Sequence, residues 1–78
     1  MNLTHPHPDN RSDNVLHLQK AIRNTQENMR EAEDFLKAHE EEMHTEDIKD
    51  IQAKNDRRQR AIHGMREEIK DEIAHSKE

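Results

Sequence analysis

The sequence contains no cysteine, one glycine and a single aromatic side chain, Phe35. Without cysteine the chain can form neither disulfides nor thiolate metal sites, and it has no thiol redox chemistry. It has no apolar run long enough to span a membrane and no N-terminal apolar stretch typical of a signal peptide, so we expect a soluble intracellular protein. Hydrophobic residues are 28% of the 78 residues and charged residues 40%, a composition near the boundary between folded and disordered chains.

Two apolar stripes are present, each with the alternating three- and four-residue steps of one helical face. The first stripe consists of Val15, Leu18, Ile22, Thr25, Met29, Ala32, Leu36, His39 and Met43. The second stripe consists of Ile48, Ile51, Asn55, Arg58, Ile62, Met65, Ile69 and Ile73. Because the flanking positions are mostly polar, each stripe is a narrow seam that needs a second helix to cover it.

The stripes predict an all-α fold, an antiparallel and coiled-coil-like hairpin of two helices. The expected segments are a flexible, disordered arm at 1–13, helix 1 at 14–43, a turn at 44–47 and helix 2 at 46–76. Ser12 or Asp13 is the expected N-cap of helix 1, and Thr45 that of helix 2. A single unbroken helix is the competing prediction, since neither glycine nor proline lies at the turn.

The apolar side chains are few for a chain of this length. The candidate core consists of Val15, Leu18, Ile22, Met29, Phe35, Leu36, Ile48, Ile51, Ile62, Met65, Ile69 and Ile73. We therefore expect a marginally stable hairpin. Halfway along it, Asn55 and Arg58 should face Ala32 and Met29, and such a polar layer can fix the register of two helices at some cost in stability.

The candidate interaction residues are Lys54, Asn55, Arg57 and Arg58, which with Arg60 include a basic cluster (Lys54, Arg57, Arg58 and Arg60). Four cations so close together could contact nucleic-acid phosphates. The net charge of −5 and the absence of an aromatic platform for bases argue against that function. Ion pairs with Glu27, Glu31 or Asp34 on helix 1 explain the cluster without any partner.

Histidines and acids are concentrated at the predicted turn, at His39, Glu40, Glu41, Glu42, His44, Glu46 and Asp47. His39 and His44 are five positions apart and do not share a helical face, and no glycine shapes a calcium loop, so we expect a solvated run of charge and no metal or cofactor. A two-helix hairpin also lacks a concave site that could desolvate an acid or base, so we expect no catalytic activity. Acids outnumber bases on the polar faces and tryptophan is absent, which argues against membrane binding.

Histidine protonation changes the sign of the charge. Seven added positive charges take the net charge of the chain from −5 to +2. In strong acid the carboxyl groups are neutral as well, so the 13 Lys and Arg and the 7 His carry positive charge that no negative charge offsets. We expect such a chain to stay soluble in acid, where ordinary globular proteins unfold and aggregate.

Two segments resemble the Tlp family of small, acid-soluble spore proteins from endospore-forming bacteria. One is His7-Pro8-Asp9-Asn10-Arg11-Ser12-Asp13-Asn14-Val15, continuing through Leu18-Gln19, Asn24-Thr25-Gln26-Glu27-Asn28 and Glu31-Ala32-Glu33. The other is Lys54-Asn55-Asp56-Arg57-Arg58, followed by Ala61-Ile62 and the run from Met65 to Glu72. The resemblance extends in the family's order from residue 8 to about residue 74.

The resemblance implies a non-enzymatic protein made in the developing forespore and kept in the spore core, outside the class of spore proteins that coats DNA. Its role would be that of a packing component or an amino-acid reserve. The resemblance implies no catalytic and no ligand-binding residue. An interaction module that docks a partner helix or self-associates is the alternative, and a weak nucleic-acid binder acting through the basic cluster is a further one.

Overall fold

The computed structural model describes residues 11–76, and these form two helices packed against each other. Helix α1 spans Arg11–His39 and helix α2 spans Thr45–Ser76, with one 3-10 turn at Glu40–Glu42 between them. The predicted all-α, two-helix hairpin is confirmed, and the alternative of one unbroken helix is wrong. The disordered arm was predicted for residues 1–13, of which 1–10 lie outside the described residues and 11–13 are helical.

Helix α1 begins before the predicted cap. Ser12 and Asp13 both lie within its first turn, so neither is the N-cap and the predicted start at residue 14 is three residues late. Asp13 is the acidic residue of that turn, where a carboxylate complements the positive end of the helix dipole. Because aspartate is favoured both at the cap and in the first turn, residue type alone did not separate the two positions.

The first helix also ends earlier than the predicted residue 43. The backbone of His39 leaves the α-helical region, with φ −126° and ψ −4°. The N–H of Met43 donates a hydrogen bond of 3.2 Å to the carbonyl of Glu40, and Met43 itself is extended, with φ −95° and ψ 152°. Three consecutive glutamates at the negative end of the α1 dipole disfavour another α-helical turn.

Helix α2 begins after His44, not after Thr45. The His44 carbonyl accepts hydrogen bonds from the N–H groups of Asp47 at 3.0 Å and Ile48 at 3.1 Å. The residue whose carbonyl accepts the first helical bonds is the N-cap, so Thr45 is the first helical residue and not the predicted cap. The reversal of the chain thus lies just before the predicted turn at 44–47.

Burial follows the two stripes. Ile62 is 1% exposed and Ile22 is 9% exposed, and these two are the buried hydrophobic side chains among the described residues. The half-buried stripe members are Val15, Leu18, Thr25, Met29, Ala32, Leu36, Met43, Ile48, Ile51, Asn55, Arg58, Met65 and Ile69. Each helix therefore covers the apolar stripe of the other, and the residues on both sides of the stripe remain accessible to water.

Three members of the predicted core or stripes are exposed. Phe35 is 49% exposed because it directly precedes Leu36 and so points about 100° away from the seam. Ile73 is 44% exposed at the open end of the hairpin, where water reaches the seam from the end as well as from the sides. His39 is exposed because α1 ends there.

A polar residue of the first stripe is accommodated locally. The Thr25 hydroxyl Oγ1 donates a 2.8 Å hydrogen bond to the carbonyl of Ala21, one turn earlier. This bond satisfies the hydroxyl inside a half-buried layer, so threonine can occupy a stripe position without a partner from α2.

Between residues 11 and 76, neither helix combines the length and apolar character needed to cross a membrane.

Replacing the most buried side chain tests the seam. Ile62→Ala should lower the free energy of unfolding by about 2–5 kcal/mol, because it removes buried methyl groups and leaves a cavity. Leu16→Ala is the matched control: Leu16 is 62% exposed, so its loss should change stability by no more than about 0.5 kcal/mol. Urea unfolding followed by far-UV circular dichroism in a stabilising osmolyte measures both, and equal losses would contradict the assigned core.

Replacing Gly64 should stabilise the hairpin, whereas replacing Ile62 should destabilise it. Gly64 is an exposed residue inside α2, and a Cβ added there would meet no atom within 4 Å. Gly64→Ala should therefore raise the free energy of unfolding by about 1 kcal/mol, the difference in helix propensity. Thermal unfolding measures the change, and a lower melting temperature would show that α2 does not run straight through this position.

Candidate interaction surface

Asn55 and Arg58 form the polar layer of the hairpin. The Asn55 amide nitrogen Nδ2 donates a 3.2 Å hydrogen bond to the Met29 carbonyl on α1. Arg58 Nη1 in turn donates a 2.8 Å hydrogen bond to Asn55 Oδ1, and both side chains are half-buried. Since one end of the amide donates and the other accepts, its orientation is determined by its two partners.

The bond to Met29 connects the two helices near the middle of the hairpin. The Met29 carbonyl has two lone pairs, so it can accept from Asn55 in addition to its place in the helical ladder. Seven residues away on each helix, in opposite chain directions, are Ile22 and Ile62. A register that places Asn55 beside Met29 therefore brings the two buried isoleucines close to the same level.

The basic cluster is divided by the structure. Arg58 turns toward the seam, whereas Lys54, Arg57 and Arg60 are exposed. Arg60 Nε donates a weak hydrogen bond of 3.5 Å to the Asp56 carbonyl on its own helix.

No ion pair in the described part of the chain joins the cluster to α1. The interpretation that Glu27, Glu31 or Asp34 neutralises the cluster is therefore wrong. Glu27, Glu31 and Asp34 are themselves exposed on α1, so three cations of the cluster and these acids all face solvent. Of the four candidate interaction residues, Lys54 and Arg57 are exposed to solvent, while Asn55 and Arg58 form hydrogen bonds of the polar layer.

A groove of about 310 Å³ lies between the helices and is open to solvent. Its lining residues are Gln26, Met29, Arg30, Glu33, Gln59, Ile62 and Arg66. Met29 and the buried Ile62 supply its apolar floor, and Arg30 and Arg66 contribute exposed cations at its sides. An open groove keeps its polar groups hydrated, so the arrangement suits surface contact better than acid–base chemistry.

The groove was not foreseen from the sequence, although a signal was present. Gln26 and Glu33 are seven residues apart on α1, and Gln59 and Arg66 are seven apart on α2. These rows directly flank the stripes, in the positions that line the sides of a coiled-coil seam.

His39, in the histidine- and acid-rich segment at the turn, makes two local contacts. The rings of Phe35 and His39 have centroids 4.6 Å apart and are tilted by 43°. His39 Nδ1 lies 3.5 Å from Glu42 Oε1, with side chains 48% and 80% exposed, a setting in which an ion pair contributes little. Among the residues that the structure describes, no three His, Asp or Glu side chains converge on a position for a metal ion.

The fold and the surface define a small α-helical hairpin protein with a polar layer in its seam and an open, charged exterior. The family model described as "Small, acid-soluble spore protein Tlp" matches residues 6–78. The chain belongs to this Tlp family of small, acid-soluble spore proteins.

Relatives from several endospore formers agree with that assignment. The chain is 46% identical over 70 residues to the small, acid-soluble spore protein Tlp of Oceanobacillus iheyensis, covering 90% of this chain and 95% of the relative. It is 56% identical over 68 residues to a Tlp homolog of Caldanaerobacter subterraneus, covering 87% and 81%. The Bacillus subtilis protein is 48% identical over 69 residues, covering 88% and 78%. No solved structure matches the chain.

Removing the amide of Asn55 tests the polar layer. Asn55→Ala should lower the free energy of unfolding by about 0.5–1.5 kcal/mol relative to a matched control, because the bond to Met29 is lost and Arg58 loses its acceptor. The control is Asn28→Ala, at an exposed asparagine of α1, which isolates the gain from the higher helix propensity of alanine. Urea unfolding measures both variants, and equal changes would show that the amide contributes nothing to the hairpin.

Proposed function

We propose that this protein is a non-enzymatic component of the spore core. It is made in the forespore during sporulation and serves there as a packing component or as an amino-acid reserve. The observation that supports the proposal most strongly is membership in the Tlp family, whose members carry the description of small, acid-soluble spore proteins. The forespore and its core are the compartment in which a protein of that description would accumulate.

The surface supports a non-enzymatic role. Its groove is open to solvent, and the acid and the two arginines that line it are exposed. General acid–base catalysis needs a group whose proton affinity is tuned by burial or by a close partner. Glu33 and the two arginines are instead exposed in an open groove, a geometry that suits surface contact.

The thin core supports a role as a reserve. Two hydrophobic side chains are buried among the described residues, so few contacts must be lost before a helix separates from its partner. Local opening of this kind exposes backbone to proteases, and cleavage then follows the population of the open form. A stored protein that must be degraded quickly on germination benefits from such easy opening.

A second candidate function is that of a helical interaction or self-association module. It is favoured by the exposed Phe35 and by the three cations of the basic cluster that face solvent without an acidic partner on α1. Recovery of specific crosslinked products from intact spores would favour this candidate, whereas its absence would leave the storage role.

The timing of synthesis tests the proposal. Immunoblots through a sporulation time course should show the protein absent from growing cells, present from forespore development onward, and lost soon after germination begins. The control is a constitutive cytoplasmic protein followed on the same blots. Equal amounts in growing cells and in spores would overturn the spore-specific role, and persistence through germination would overturn the reserve role.

A further inference from the structure

The groove and the exposed ring of Phe35 lie on opposite faces of the hairpin. Arg30 lines the groove, and Phe35 comes five positions later, about 140° around the helix. The stripe residue Leu36, which faces the seam, lies about 100° from Phe35 on one side and about 120° from Arg30 on the other. The groove with its apolar floor is therefore on one face, and the ring of Phe35, 49% exposed, is on the other.

Charge is unevenly distributed along the hairpin. Residues 38–50, at the turn end, carry six carboxylates and one lysine. Residues 54–66 of α2 carry five Lys or Arg and one aspartate. Of these cations Arg66 lines the groove, together with Arg30 and Glu33 of α1. The groove lining therefore has a small excess of positive charge, which the acidic turn end, close to Phe35, complements.

We propose that the groove receives the turn end of a second copy of this protein. The ring of Phe35 from one copy covers the half-buried Met29 side chain of the next, while turn-end acids such as Glu42 and Asp50 approach the groove arginines. A guanidinium beside an aromatic ring adds a cation–π contact. Because the two surfaces lie on opposite faces, the contact is heterologous and adds copies in an open-ended series.

A second copy fits this groove better than a nucleic acid does. The backbone of a nucleic acid supplies negative charge, but it has no apolar group that could pack against Met29. The protein also has a single aromatic ring on which bases could stack. The acidic turn end would also repel phosphates. The inference concerns assembly and holds whether or not the protein is an amino-acid reserve.

Sedimentation velocity of the full chain over a concentration series tests the assembly. The mean mass should rise beyond that of a dimer at low salt, and the rise should shrink at about 1 M salt, where charges are screened within about 3 Å. Phe35→Ala should weaken association by about tenfold or more, as expected for an aromatic anchor. Leu16→Ala, which removes another exposed apolar side chain, is the matched control and should leave association unchanged.

A charge exchange tests the pairing of the surfaces. Arg30→Glu with Arg66→Glu gives one variant, and Glu42→Lys with Asp50→Lys gives the other. Each alone should fail to associate, whereas an equimolar mixture should regain assembly, with circular dichroism confirming that both variants remain helical. All these positions are exposed, so the substitutions leave the seam intact.

Four results would overturn the proposal. They are a monomer at every concentration, equal effects of the Phe35 and Leu16 substitutions, a mixture of the charge variants that stays monomeric, and a DNA gel shift abolished by the arginine substitutions without any self-association.

Discussion

The hydrogen bond from the Asn55 amide to the Met29 carbonyl determines how the two helices meet. A narrow apolar seam by itself allows one helix to slide along the other by a turn, because isoleucine and leucine contacts are similar at successive levels. A half-buried amide opposes this sliding, since it would separate the Asn55 nitrogen Nδ2 from its acceptor, the Met29 carbonyl on α1. The polar layer thus adds little to the free energy of unfolding, but it selects one register of the two helices.

This arrangement explains why a protein with so few apolar residues folds in a defined way. The two buried isoleucines, Ile22 and Ile62, and the half-buried residues around them remove limited apolar area from water. Stability is correspondingly small, and it is concentrated near the centre of the hairpin. The ends of both helices and the turn remain charged and accessible. A hairpin with so thin a core opens locally at little cost in free energy.

The heptad spacing predicted the hairpin because that signal is periodic and repeats over many turns of both helices. It placed Ile22 and Ile62 in the seam and Asn55 in a polar layer, all as observed. Hydrophobicity alone was a weaker guide: Phe35 was assigned to the core by residue type, although it lies one position off the stripe. On α1, the position of a residue in the heptad pattern therefore predicted its burial better than its hydrophobicity did.

Other features depend on information that residue spacing does not contain. The end of α1 at His39 follows from competition between helical propensity and three glutamates at a negative helix end, and such a balance shifts by several residues for a small energy. The partner of Asn55 is a backbone carbonyl, which no side-chain pattern marks. Ion pairs expected between Arg57 and the acids of α1 depend on side-chain reach and hydration, which the order of residues leaves open.

The distance between the two open ends of the helices tests the central claim most directly. Because the chain lacks cysteine, spin labels can be attached at Lys20→Cys and Glu68→Cys, both exposed positions, and measured by pulsed electron paramagnetic resonance. A closed hairpin with helix axes about 8–10 Å apart predicts a narrow distribution below about 30 Å. A continuous helix would place the labels about 70 Å apart, and that result would contradict the account.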